Sequence, residues 1–74
     1  MAKTISGRQA VKVLIKHFAF ELVSQKGSHI KLAKHVAGKK ITTVIPDHRE
    51  LARGTLRGAL RLAKVSEKDF WKRV

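Results

Sequence analysis

The sequence predicts an α+β fold of order α-β-β-β-α: a three-stranded antiparallel sheet with both helices on one face, then a short C-terminal helix. Three observations predict it. Val11, Leu14, Ile15 and Phe18 recur at helical spacing behind a capping serine. Residues 28–35 alternate apolar and polar between two turns that each contain glycine. Leu56, Ala59, Leu60 and Ala63 repeat the helical spacing. No internal repeat or low-complexity segment interrupts the order.

Ser6 is the N-cap of a helix over Gly7–Phe18, whose Arg8, Lys12 and Lys16 form a separate basic row at i, i+4, i+8. The first strand is Phe20–Gln25, with Lys26-Gly27 as the turn; the loop length around Gly27 leaves its register open. In the second strand, Ser28–His35, Ile30 and Leu32 point to one face and His29, Lys31, Ala33 and His35 to the other. Ala37-Gly38-Lys39 makes the next turn. The third strand, Lys40–Ile45, is ended by Pro46, and Ile41 and Ile45 join the buried face. Residues 47–53 read as a loop and Gly54–Ala63 as the second helix, with Arg53, Arg57 and Arg61 as a basic row beside its apolar stripe. Ser66-Glu67-Lys68-Asp69 resembles a capping box with Asp at its last position. It starts a terminal helix whose Phe70 and Trp71, with Phe18 and Phe20, supply the aromatic core. The sheet face opposite the helices, carrying His29, is left open to a partner.

Size and charge narrow the function. The chain has 74 residues, expected as one domain over 1–74 with a single small core. It has no cysteine, which excludes a disulfide-stapled secreted scaffold. Residues 1–6 lack the apolar stretch of a signal peptide and no apolar run is long enough to span a bilayer, so the expected location is the cytoplasm. Seventeen Lys and Arg against five Asp and Glu give a net charge of +12. That balance favours nucleic acid, an anionic membrane surface or an acidic protein as partner. The acids are scattered: Glu21, Asp47, Glu50, Glu67 and Asp69 form no pair for a two-metal nuclease or a glycosidase. No two histidines have metal-ligand spacing, and no metal or other cofactor is expected.

The most informative residues are Gly27-Ser28-His29, which set one imidazole at or just past the tip of a turn on a strongly cationic chain. An imidazole titrates near neutrality, which suits acid–base chemistry on a polyanion.

Four motifs then add up. Ser6-Gly7-Arg8 opening a helix, Gln25-Lys26-Gly27-Ser28-His29, Ile45-Pro46-x-His48 and Gly54-Thr55-Leu56-Arg57 follow one another in the order and spacing of the HicA (YcfA-like) toxins, which the chain resembles from Ser6 to Phe70. The resemblance implies a fold like a double-stranded RNA-binding domain and an RNA-cleaving toxin, an mRNA interferase, held in check by a HicB-type antitoxin. The family's catalytic histidine falls on His29, and the antitoxin is expected to cover it and the basic surface around it. Two departures stand out. Ala52-Arg53 precedes the Gly-Thr-Leu where relatives often have Lys-Pro or Lys-Lys, and Lys64-Val65 replaces a common Gly-Ile after the second helix. Without glycine a left-handed helix stop is harder to form, so this helix is expected to end differently.

RNA cleavage without a metal needs a base for the 2′-hydroxyl, an acid for the leaving 5′-oxygen and positive charge for the phosphorane. His29 can move a proton, and one such group contributes roughly 10²–10⁴-fold. Lys26 and Lys31 can stabilise the developing charge. Ser28 can donate to a phosphate oxygen, and Gly27 lets the backbone approach closely. Arg53 and Arg57 are RNA-binding candidates because Gly54-Thr55 sets helix amides where a phosphate can bind. Of the other histidines, His17 lies beside the first apolar stripe. His35 is six residues from His29 along a strand, about 20 Å away and too far for one site. His48 sits in the loop after the third strand. With no exposed aromatic platform, RNA binding leans on phosphates. The competing readings are a non-catalytic RNA-binding module of the double-stranded type, which tolerates His29→Ala, and a protein that only docks an acidic partner. A membrane-surface helix is a remote third, since both helices are needed for the core.

Overall fold

A computed structural model describes residues 4–74; the first part of the N-terminal segment, residues 1–3, lies outside the described residues. The elements run α1 (Gly7–Phe18), β1 (Glu21–Lys26), β2 (His29–Val36), β3 (Lys39–Pro46), α2 (Arg53–Ala63) and α3 (Glu67–Lys72). The sheet is antiparallel in the order β1-β2-β3 with helices on one face, an α+β arrangement consistent with the double-stranded RNA-binding-domain type. No helix among the described residues is long and apolar enough to cross a membrane.

α1 starts at a full capping box. Ser6 Oγ accepts from the Gln9 N–H at 3.1 Å, and Gln9 Oε1 accepts from the Ser6 N–H at 2.9 Å. Two orphan donors of the first turn are thereby satisfied. Its buried face differs from the expected stripe. Gly7, Ala10, Val13 and Leu14 are buried, Val11 and Phe18 are half-buried, and Ile15 is exposed. The helix has rolled toward its small residues, which let the sheet and the loop after β3 come close. At its far end Ala19 is left-handed, Phe20 N–H bonds Leu14 C=O, and Lys34 Nζ donates to Phe18 C=O at 3.2 Å while lying over the Phe20 ring. A cation there favours the negative end of the helix dipole.

The first turn is as short as expected but lies one residue later, and the second is tighter than expected. Gly27-Ser28 alone links β1 to β2, with only Gly27 at positive φ, the sign pattern of a II′ loop. Ala37-Gly38 links β2 to β3 with both residues at positive φ, as a I′ loop requires. Each strand therefore begins or ends one residue from its expected bound. In β1 Val23 is an extra residue, a bulge between the pairs Leu22↔Leu32 and Ser24↔Lys31. The inner face carries Ile30↔Ile45 and Leu32↔Thr43, all buried. Ala33, expected with the open face, is also buried: its methyl is short and it sits mid-sheet between Glu21 and Thr42. Thr43 was not among the expected core residues. Its hydroxyl donates to Ala59 C=O at 2.7 Å, so a buried polar group ties β3 to α2 with its hydrogen bond satisfied.

α2 buries Leu56, Ala59, Leu60 and Ala63, the whole expected stripe, and begins at Arg53, one residue early. It ends in the left-handed conformation at Lys64 after all. Lys64 N–H bonds Arg61 C=O at 3.2 Å and Val65 N–H bonds Leu60 C=O at 3.0 Å, a Schellman pair with Val65 buried beneath it. The expectation of a different ending is thus corrected: burying Val65 and satisfying two carbonyls outweighs the left-handed cost at a lysine, about 1–2 kcal/mol. Ser66 Oγ accepts from the Asp69 N–H at 3.1 Å and starts α3, which seals the core with buried Phe70 and half-buried Trp71 set edge-to-face against it.

A candidate nucleic-acid site at the first hairpin

The first hairpin and the register decide what surrounds His29. Lys26 and His29 are the pair that closes the turn, so their Cα atoms lie about 5.5 Å apart. Pro46 is opposite His29 on the other side. Directly opposed residues share a face, so Lys26, His29 and Pro46 form one row of the outer sheet face, and Ser24, Lys31 and Val44 form the next. His29, Lys26 and Lys31 are all exposed. The imidazole therefore stands at the first residue of β2, just past the turn, between one lysine across the strand and a second two residues along.

The turn is anchored from below. Asp47 N–H donates to Ser28 C=O, Gly7 N–H to His48 C=O at 2.8 Å, and Leu51 N–H to Ile5 C=O at 2.8 Å. The segments 5–7 and 47–51 are thus laced together beneath the hairpin. Gly7 makes the crossing possible: a Cβ there would meet Pro46 O at 1.9 Å. The Asp47 carboxylate binds Arg8, with Nε–Oδ1 3.1 Å and Nη2–Oδ2 3.4 Å, and accepts from Gln25 Nε2 at 3.2 Å. Hydrogen bonding from Arg8 chiefly holds this carboxyl below the usual carboxylate range against its partial burial, with Gln25 and the nearby His48 charge assisting. The Arg8 guanidinium is raised in return.

Three of the four sequence motifs therefore converge: Ser6-Gly7-Arg8, Gln25-Lys26-Gly27-Ser28-His29 and Pro46-Asp47-His48. The fourth begins α2. β3 ends opposite His29 and the loop 47–52 leads straight to Arg53, so α1 and α2 both start at the His29 end of the sheet. No side chain caps the first turn of α2, and no acid lies in it. Arg53 and Arg57 are exposed there, in the helical layer rather than on the face of His29, and Arg57 pairs with Glu67 at 3.3 Å. His35 is on the outer face beside Lys40, at the far end of β2; His17 and His48 are exposed, and His48 contributes its carbonyl to the lacing. Among the described residues no three His, Cys, Asp or Glu side chains cluster as metal ligands.

Asp47, Gln25 and Arg8 carry a part that sequence reasoning did not assign. Asp47 read as one of five scattered acids and Arg8 as one of a basic row; their pairing spans 39 positions and leaves no periodic trace. The signal available was their place inside the motifs themselves.

A model of the family described as "HicA toxin of bacterial toxin-antitoxin" matches residues 7–65. No curated protein and no solved structure matches the chain.

Proposed function

The chain belongs to the HicA toxin family of bacterial toxin–antitoxin systems, and from that premise we propose that it is a single-domain, metal-independent endoribonuclease acting in the cytoplasm, an mRNA interferase with His29 as general acid or base. The observation that carries this reading is the exposed imidazole of His29 on the open sheet face, opposite Lys26 and one row from Lys31. One imidazole can take the proton of an attacking hydroxyl or return one to the leaving oxygen. Two lysines, one opposite His29 across the strand pair and one two residues along β2, can stabilise the negative charge that grows on the phosphoryl oxygens. Gly27 presents backbone to the ligand without a side chain in the way, and the hydroxyl of the exposed Ser28 can donate to a phosphate oxygen. Arg53 and Arg57, at the uncapped start of α2, bind phosphates further along the same RNA; Arg57 must exchange Glu67 for that phosphate.

The antitoxin partner implied by the family is read as HicB-type, with acidic groups that cover His29 and the lysines around it. The alternative, a binding module without catalysis, shares every feature except the use of the imidazole.

The deciding experiment is cleavage of an end-labelled, unstructured RNA in excess EDTA by the protein and by His29→Ala. Cutting by the wild type alone is expected, with a loss of roughly 10²-fold or more in the variant. Equal cutting by both removes His29 from the chemistry. RNA bound by both folded proteins and cut by neither selects the binding module.

A further inference from the structure

Both carbonyls of the two-residue turn are held. Ser28 C=O accepts from the backbone N–H of Asp47, and Gly27 C=O accepts from Gln25 Nε2 at 3.3 Å. The same Gln25 amide donates to Asp47 Oδ2. Both partners of Gln25 are acceptors, so the amide must present its NH₂ and uses both donors. Asp47 in turn is gripped through both oxygens by Arg8 at the start of α1. A chain of contacts thus runs from the helix through Arg8, Asp47 and Gln25 to the turn that carries His29.

The hairpin needs such a hold. All six residues of β1 are exposed, and the helices do not cover it. Exposed edge hairpins open locally at low cost, and the Val23 bulge already breaks the ladder once.

We propose that Asp47 is a positioning residue for His29: with Gln25 it locks the Gly27-Ser28 turn to the start of α1, so that the imidazole is fixed relative to Lys26 and Lys31. The kinetic part of this proposal rests on the ribonuclease reading; the locking of the turn does not. A carboxylate held below its usual range by Arg8 stays ionised at neutral pH and has no proton to give, so its part is geometric. A misplacement of about 1 Å at a reacting group can cost on the order of 10²-fold.

The test uses the full chain with Asp47→Asn, Gln25→Ala and the double variant. Gln25 is exposed and uncharged, so its replacement changes neither core nor net charge. Two experiments are run: kinetics, giving kcat and KM on end-labelled unstructured RNA, and hydrogen exchange of the residue-47 amide that donates to Ser28 C=O. In each single variant kcat is expected to fall about tenfold or more with KM within about twofold, and the residue-47 amide to exchange about tenfold faster. The double variant should lose no more than the worse single one, because the two side chains act through one contact. Wild-type kcat in both single variants overturns the proposal, as does a loss confined to KM, which makes these groups substrate contacts. If the wild type cuts nothing, the ribonuclease reading fails and exchange alone decides: unchanged exchange in Asp47→Asn rejects the lock, and faster exchange upholds it without the chemistry.

Discussion

Gly7 has no room for a side chain, because the Pro46 carbonyl occupies the place of its Cβ. Gly7→Ala must push apart the segments that brace the His29 turn. Overpacking of this kind costs about 1–3 kcal/mol, and urea unfolding of the variant should show a lower midpoint with an unchanged slope. Asp47 has a different signature, in pH. Its folded carboxyl lies below its ordinary value through Arg8 first, then Gln25 and the His48 charge. A depressed acid contributes stability that is present above the unfolded pKa, about 3.9, and is lost as pH falls through the folded pKa. The stability advantage of the wild type over Asp47→Asn should therefore be fully present at about pH 5, shrink below about 4 and vanish in stronger acid. An advantage that persists in strong acid would mean that the Arg8–Asp47 pair is not its source.

The helices show how far local signals reach. Ser6 is readable in the chain as an N-cap, and the structure completes it as a capping box with Gln9 three residues later. The face α1 buries was less legible, since Ala10 and Gly7 carry little hydrophobic signal and are buried because backbone and sheet approach there. Ile15 fits the helical spacing and is exposed, because spacing defines a stripe but not its edge. α2 is the reverse case: its stripe was legible throughout, and its ending was not. Lys64 takes φ 61° under a Schellman pair whose worth depends on burying Val65, a tertiary contact. Lys64→Gly keeps both bonds and removes the left-handed cost, so it should raise stability by about 1 kcal/mol. At this size that is a rise of roughly 4–8 °C in Tm. A lowered Tm would show that the lysine side chain makes a compensating contact.

At the scale of the molecule, a net charge of +12 sits on a body of 39 × 29 × 19 Å. Such a field draws in polyanions, and affinity from phosphate contacts falls steeply as salt displaces the counterion gain. RNA binding followed by fluorescence anisotropy should weaken by a large factor between about 50 and 200 mM salt. A flat response would reject phosphate contacts as its basis. The arrangement also separates two cationic regions, Lys26 and Lys31 on the sheet face and Arg53 and Arg57 at the start of α2. Charge reversal in the second should weaken binding more than it lowers kcat.

Charge, turn chemistry and hydrophobic period are local properties, and they determined the strongly cationic character of the chain, the order of elements, the faces of β2 and β3, and the imidazole beside the first turn. Glycines and caps marked the ends of elements to within a residue because backbone sterics act over two or three positions. What only the tertiary structure decided depends on contacts between distant segments: the bulge at Val23, the burial of Thr43 on Ala59, and the meeting of Arg8, Gln25 and Asp47 under the His29 hairpin. No periodicity encodes a carboxylate's partner 39 residues away. That choice is made when the loop after β3 packs against the start of α1, with Gly7 leaving the space.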